Sequence, residues 1–410
     1  MPILTASAYQ IPVPKMKAVH QIFPDEKIAD IFQTLKNEMD KKPIASKIKP
    51  GMAIAVLVGS RGICDLHLVL KSTVDLIKNY GGVPFIVPAM GSHGGAVAEI
   101  QKEILESYGI TEEFLGIPIR SSMETIEIGV THSGIPIFVD KLASEADMVV
   151  PIARIKAHTD FNGSIESGLC KMLAIGMGKH NGCSRLHQEG FAAFPILIPE
   201  VGKFILEKIN IGFGIALVEN AHEHLHTIKA VPGSDFLLEE PKLLALSKSL
   251  MPQLFFPEID VLIIEQIGKE ISGAGLDPNM TGRMSIGPIP DFQGPKIKRI
   301  VVLGLSEKTH HNATGIGIAD FITQKVYDSI NLENTYANCI ASGNPEAGKI
   351  PIMLPTENEA ILAAIQTCGQ IDSSKLKIVR IKDTLHLADI QVSESLMQYC
   401  TENNRFTVTD

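Results

Sequence analysis

Residues able to bind anions and move protons recur in this chain directly behind apolar runs. Arg61 follows "AIAVLVGS", Ser92 and His93 follow "VPFIVPAMG", and Lys156 and His158 follow "MVVPIARI". Further along, Gln266 and Lys269 follow "IDVLIIE", and His310 and His311 follow "IVVLGLSEKT". An imidazole titrates near neutrality and can take or give a proton there. A guanidinium holds a carboxylate through two parallel hydrogen bonds. The densest stretch is "RIKAHTDFNGSIESGLCKMLAIGMGKHNGCSRLHQEG", residues 154–190, which gathers His158, Asp160, Glu166, Lys171, Lys179, His180 and His187 among glycines. A loop histidine alone is more often solvated than catalytic; several at one edge of one sheet carry more weight.

The elements that must position these residues follow from the apolar pattern. "GMAIAVLVG", "VPFIVPAM" and "ADMVVPIARI" are continuous apolar runs of strand length. Between them, "LHLVLKSTVDLIKNYGG" and "AVAEIQKEILESYG" have helical spacing and glycine stops. Buried strands alternating with amphipathic helices predict an α/β fold with mostly parallel sheets. A helix over "SIESGLCKMLAIG" would carry Lys171 on one face with Ser164 and Ser167. After "LMPQLFFPEID" a second α/β block begins, with strands in "IDVLIIEQIG" and "KIKRIVVLGLS" and a helix over "GIADFITQKVYDSI". The expected domains are 1–252 and 253–410. In such sheets ligands collect beyond the carboxyl ends of the strands.

Composition narrows the function classes. The 410 residues are 45% hydrophobic and 20% charged with a formal net charge of −9, and no basic block exceeds "PKIKR". An electrostatic footprint for nucleic acid or an anionic membrane is missing. The six cysteines, at 64, 170, 183, 339, 368 and 400, include no CxxC pair. Neither a zinc site nor a disulfide framework is signalled. The start lacks the apolar core of a signal peptide, and no run of about 18 apolar residues occurs. A cytoplasmic protein is expected. His222, His224 and His226 alternate as if along one strand face, which reads as an exposed face rather than a metal patch because no carboxylate or cysteine completes the set. No GxGxxG follows the first strand, so an ordinary dinucleotide site is not indicated.

In order along roughly residues 50–320, "PAMGSHGGA", "RIKAHTDFNG", "SGLCKM" and "GKHNGCSRLH" resemble the nickel-dependent lactate racemase family. The resemblance implies two α/β domains with the active site in the cleft between them. It implies a nickel pincer nucleotide, derived from a pyridinium mononucleotide and attached covalently to Lys171, with His187 as the protein ligand to nickel. His93 and His158 match the acid/base histidines, Arg61 the residue that grips the substrate carboxylate, and Gln266 and Lys269 the polar groups that the second domain offers to substrate. Glycines leave backbone N–H groups open to an anion, so Ser92, Gly94 and Gly95 are expected at the cofactor.

The implied reaction is racemisation or epimerisation of a 2-hydroxy acid, lactate-like or a sugar acid. Its Cα hydrogen is far too weakly acidic for an imidazole to remove as a proton. Hydride transfer avoids this difficulty: one histidine takes the hydroxyl proton while the hydrogen leaves as hydride, and return to the other face inverts the centre. Expected partners are the hydroxy acid and the cofactor-synthesis proteins, with no nucleic acid and no membrane. The alternatives are a nicotinamide-dependent dehydrogenase or epimerase without nickel, and a nucleotide-binding protein without catalysis.

Overall fold

Strand β1, Ala53–Val58, is apolar throughout, and its alternation sorts the residues onto two faces. Ile54, Val56 and Val58 enter one buried cluster while Ala55 and Leu57 enter another. A strand with core on both sides needs both faces covered, and the neighbouring helices supply the cover. In this computed structural model, which describes residues 4–6, 8–285, 287–289, 292–370 and 372–408, the chain forms two compact units. One comprises residues 25–251, the other residues 1–24 with 252–410.

In the 25–251 unit, β1 lies between β2 (Val83–Pro88) and β3 (Met148–Arg154), parallel to both, with β4 (Phe213–Glu219) beyond β3 and β5 (Leu225–Pro232) antiparallel at the edge. Helix α1 (Leu66–Asn79) buries Val69, Leu70, Val74 and Ile77 on one face of the sheet, and α2 (Ala98–Ser107) adds Leu105 there. On the other face pack the run beginning with α3 (Leu169–Lys171), then α4 (Lys179–His187), α5 (Phe194–Lys208) and α6 (Phe236–Leu250). Leu169, Leu173, Met177, Leu186, Phe194, Ile198, Val201 and Phe236 fill that cluster. A separate antiparallel hairpin, Thr125–Val130 with Pro136–Asp140, also feeds it through Ile137 and Val139.

The second unit has an eight-stranded sheet. Ile352–Leu354, Phe321–Thr323, Lys296–Val302, Glu258–Ile264 and Ile378–Ile381 run parallel, and Asp389–Ser393, Met16–Gln21 and Phe406–Val408 continue it antiparallel. The fold class is therefore α/β with mostly parallel sheets, as the alternation predicts.

Three local expectations are corrected. The N-terminal arm, counted with the first domain, pairs instead with Asp389–Ser393 and Phe406–Val408 in the second unit. The helix expected over 317–330 breaks into strand Phe321–Thr323 and helix Gln324–Ser329, because Thr323 caps that helix by accepting from the Val326 amide. Of the three alternating histidines only His226 lies in a strand. His222 and His224 sit in the β4–β5 turn, where the Asn220 carboxamide accepts both of their backbone N–H groups. No helix of the described residues is long and apolar enough to cross a membrane.

Leu57 is fully buried and Val83 is 57% exposed. Leu57→Ala is expected to destabilise the protein by about 2–5 kcal/mol and Val83→Ala by less than about 0.5 kcal/mol, as measured by denaturant unfolding.

Candidate active site

The strand exits of the 25–251 unit bring together most of the residues singled out in the sequence. β1 leads into Ser60 and Arg61, β2 into Ser92 and His93, and β3 into Lys156 and His158. The Ser60 hydroxyl and His93 Nδ1 are hydrogen-bonded, and Tyr108 Oη donates to the Ser60 carbonyl at 2.9 Å. Beyond β2 the backbone turns through left-handed conformations at Gly91, Gly94 and Gly95, and a Cβ at Gly91 would stand 3.2 Å from Cys183 Sγ. A side chain at position 91 would therefore strain the turn and crowd α4 together. Gln101 Nε2 fixes the loop from below by donating to the Gly91 and His93 carbonyls at 3.1 and 3.0 Å.

Arg61 reaches solvent, yet the protein around it desolvates it enough to pull its pKa down, with repulsion from Arg154 adding to the effect. An arginine remains charged under such a pull. Arg154, at the end of β3, is itself paired with Glu219 at the end of β4, and Glu219 also accepts from the Cys64 amide at 2.7 Å.

His158 is held by its own loop. Its backbone N–H donates to Glu166 Oε2 at 2.6 Å, and its Nδ1 accepts from the Asp160 amide at 3.0 Å. With Nδ1 accepting, the neutral ring carries its proton on Nε2. Glu166 is almost wholly buried and ties the loop down further by accepting from Gly163 N and Lys248 Nζ. Phe161 lies 4.4 Å from the His158 ring and Phe191 5.8 Å, centroid to centroid. Burial holds the His158 pKa well below the usual imidazole range, and Lys171, His187 and Arg61 push it the same way. His158 is neutral at physiological pH.

The helix bearing Lys171 begins later than its apolar pattern suggests. Residues 164–168 are not helical: Ser167 pairs with Lys156 through both backbone hydrogen bonds, so Ser164 and Ser167 do not share a helix face with Lys171. The helix starts at Leu169, where buried Glu240 accepts from the Cys170 amide at 2.9 Å, one of the donors that a helix start leaves open. Burial pushes the Glu240 carboxyl up to about 7. A π-helical turn, Met172–Gly176, follows Lys171; such turns are frequent at functional sites. Gly176 is required there, because a Cβ would lie 2.5 Å from the Ala89 carbonyl at the end of β2.

Burial lowers the Lys171 ammonium to about 8, with Arg61 adding repulsion and Asp160, Cys183 and Glu166 opposing. His187 Nδ1 donates to the Cys183 carbonyl at 2.7 Å and lies 3.5 Å from Cys183 Sγ. That bond leaves Nε2 as the ring nitrogen with a lone pair, the arrangement a metal-ligating imidazole takes. Burial works against charge on His187, but the Cys183 thiol outweighs it and raises the pKa; burial likewise resists ionisation of Cys183, whose pKa is lowered overall by His187 and Ser92. Phe191 and Phe194 wall the His187 ring at 5.5 and 5.2 Å.

His93, Arg61, His158, Lys171 and His187 thus all lie within one unit, and Ser92, Gly94 and Gly95 belong to the His93 loop. Gln266 and Lys269 belong to the other unit, where Gln266 donates to Asp383 at 3.3 Å and Lys269 Nζ to Asn338. Ser60, Gln101, Asp160, Glu166, Cys183 and the phenylalanine wall were not singled out as site residues. Asp160 and Glu166 had stood only in the densest polar stretch, and Cys183 had a readable signal, since it precedes His187 by one helical turn. Among the described residues no three His, Cys, Asp or Glu side chains are grouped to hold a metal ion.

Residues 7–193 match the family model described as lactate racemase N-terminal domain. The backbone is similar to that of a Thermotoga maritima protein solved by a structural genomics consortium, 16% identical over 87% of this chain and 94% of that one, with a TM-score of 0.51. The lactate racemase apoprotein from Thermoanaerobacterium thermosaccharolyticum matches at 13% identity over 96% of this chain and 97% of that one, with a TM-score of 0.48. The first of these is a likeness of fold. No curated protein matches in sequence.

The Lys171 amine is expected to become nucleophilic well below an ordinary lysine. Its acylation rate, followed by peptide mass mapping in the cofactor-free protein, should reach half its plateau near pH 8, against about 10.4 for exposed lysines. A half-point near that of the exposed lysines would show that the amine is not desolvated.

Proposed function

From a chain whose residues 7–193 belong to the lactate racemase N-terminal domain family, we propose an isomerase that racemises or epimerises 2-hydroxy acids, lactate-like or sugar acids. The observation that carries the reading is the grouping of a desolvated lysine amine, an arginine and two phenylalanine-walled imidazoles, His158 with Nδ1 accepting and His187 with Nδ1 donating.

These residues fit a nickel pincer nucleotide. An amine whose pKa is lowered to about 8 offers far more free base near neutrality than an ordinary lysine and suits a covalent bond to a carboxyl-derived carbon, so Lys171 would be the tether. His187, with Nδ1 committed to the Cys183 carbonyl, would offer Nε2 to nickel. Ser92, Gly94 and Gly95 would line the nucleotide. When bound, the group supplies a hydride acceptor, which proteins built of ordinary side chains lack.

The remaining roles fall to the chain itself. Arg61 would hold the carboxylate while the rest of the substrate changes face. His93, whose Nδ1 is engaged with Ser60, would take the hydroxyl proton at Nε2 when Nδ1 carries the ring hydrogen. His158 would meet the substrate oxygen with its Nε2–H. To accept a proton there it must carry its own on Nδ1 instead, which breaks the hydrogen bond from the Asp160 amide and turns the new N–H toward the Asp160 carboxylate 3.7 Å away. The phenylalanines exclude water and keep the His158 ring neutral. Gln266 and Lys269 are proposed as substrate-binding residues on the resemblance alone. Six free cysteines support a cytoplasmic residence.

Protein made together with the cofactor-synthesis proteins should carry stoichiometric nickel and a mass addition on the peptide bearing Lys171. Absence of both would end the proposal. In that loaded protein, His93→Ala or His158→Ala should each lower racemisation by roughly 10²- to 10⁴-fold while the mass addition stays. Near-normal turnover in both directions after either change would rule out the two-histidine scheme.

A further inference from the structure

Lys179 is a lysine with no exposed surface, and its backbone is left-handed, φ +51°. Neither property is ordinary. A lysine is almost never fully buried unless paired, and a left-handed residue with a Cβ costs about 1–2 kcal/mol. It stands at the junction where the π-helical turn after Lys171 ends and α4, which carries His187, begins.

The buried ammonium finds acceptors on three different elements. Its Nζ donates to the Pro88 carbonyl at the end of β2, reaches Gln101 Oε1 on α2 at 3.5 Å, and lies 3.2 Å from Asp140 Oδ2 at the end of the hairpin. Asp140 is equally buried; its other oxygen accepts from the Ala143 amide at 2.8 Å, and its own N–H donates to the Met177 carbonyl at 2.7 Å. Burial pulls the Lys179 pKa down and pushes that of Asp140 up, each opposed by the charge of the other.

Gln101, also fully buried, transmits this arrangement. Its carbonyl oxygen faces the ammonium and its NH₂ donates to the carbonyls of Gly91 and His93. The ammonium decides which way that amide points, since the flipped amide would set NH₂ against NH₃⁺ and turn an oxygen toward two carbonyls. The chain of contacts runs from Lys179 through Gln101 to the backbone on both sides of the exposed His93.

We propose that Lys179 is a positioning residue for the His93 loop, setting the direction of the imidazole through Gln101 and locking that loop to the junction between the Lys171 and His187 helices. The part concerning catalysis rests on the reading of His93 as an acid/base; the part concerning the loop does not.

The test uses the cofactor-free full chain. The His93 ring resonance, assigned by its loss in His93→Gln, is followed through a pH titration by NMR in wild type, Lys179→Met and Gln101→Leu. In both variants the resonance should move and its titration midpoint should change by about half a pH unit or more, while the His226 resonance stays in place and reports an intact fold. A folded Lys179→Met with an unaltered His93 resonance and midpoint would overturn the proposal. Should Lys179→Met fail to fold, Gln101→Leu decides, because it keeps the ion pair and removes the transmitting amide. In loaded protein Lys179→Met should lower kcat by roughly tenfold or more, with KM within about threefold and the mass addition on the Lys171 peptide retained. Inactivity of loaded wild type would count against the functional reading alone and leave the NMR result standing.

Discussion

The hydrogen-bond ladder among three parallel strands is the constraint from which the rest of the candidate site follows. Val58 at the end of β1 is level with Pro88 of β2 and with Ile152 of β3. Parallel strands in that register must all release their chains at one edge and at nearly one height. Ser60 with Arg61, Ser92 with His93 and Lys156 with His158 are therefore delivered side by side. An antiparallel neighbour would have sent one of these pairs to the far edge. The Ser60–His93 bond and the electrostatic coupling of Arg61 to His158 exist because the ladder places them within reach.

Packing then turns proximity into chemistry. Arg61, Lys171 and His187 crowd like charges around His158, with aromatic rings in place of water on one side. Each cation makes the next harder to charge, and the energy of that crowding is relieved by an anion. The proposed carboxylate substrate and phosphate-bearing cofactor are both anions. Glu166, buried close by, offsets part of that crowding at Lys171 while it accepts from Lys248 and braces the His158 loop, and buried Glu240 is committed to the start of the Lys171 helix.

The sequence made the strand exits legible because apolar runs of strand length are local signals, and Arg61, His93 and His158 were found by looking just beyond them, whereas Lys171 and His187 were assigned through the family resemblance. What stayed hidden depended on partners far away in the chain. Met16–Gln21 finds its place only against strands at Asp389–Ser393 and Phe406–Val408, and no window of local pattern contains both. The late start of the Lys171 helix depends on Ser167 pairing with Lys156 and on Glu240, some 70 positions onward. Alternation misled at His222 and His224, since a side-chain acceptor at Asn220 shapes a turn that periodicity does not register. Lys179 was named only as part of the densest polar stretch, and nothing local marks it as being among the largest fully buried side chains of the described residues.

The Asp160 amide fixes the tautomer of His158, whereas Nδ1 of His93 meets a serine hydroxyl able both to donate and to accept. For the interconversion of mirror images the equilibrium constant is unity, and thermodynamics then requires the same kcat/KM for either enantiomer however unequal the groups on the two sides. In the proposed two-histidine racemisation, any asymmetry imposed by that single backbone N–H would have to surface as compensating changes in kcat and KM: the enantiomer handled by the less prepared histidine would turn over more slowly and saturate at lower concentration. An epimer pair is released from that symmetry, so the balance between the two directions would distinguish a substrate with one stereocentre from a substrate with several.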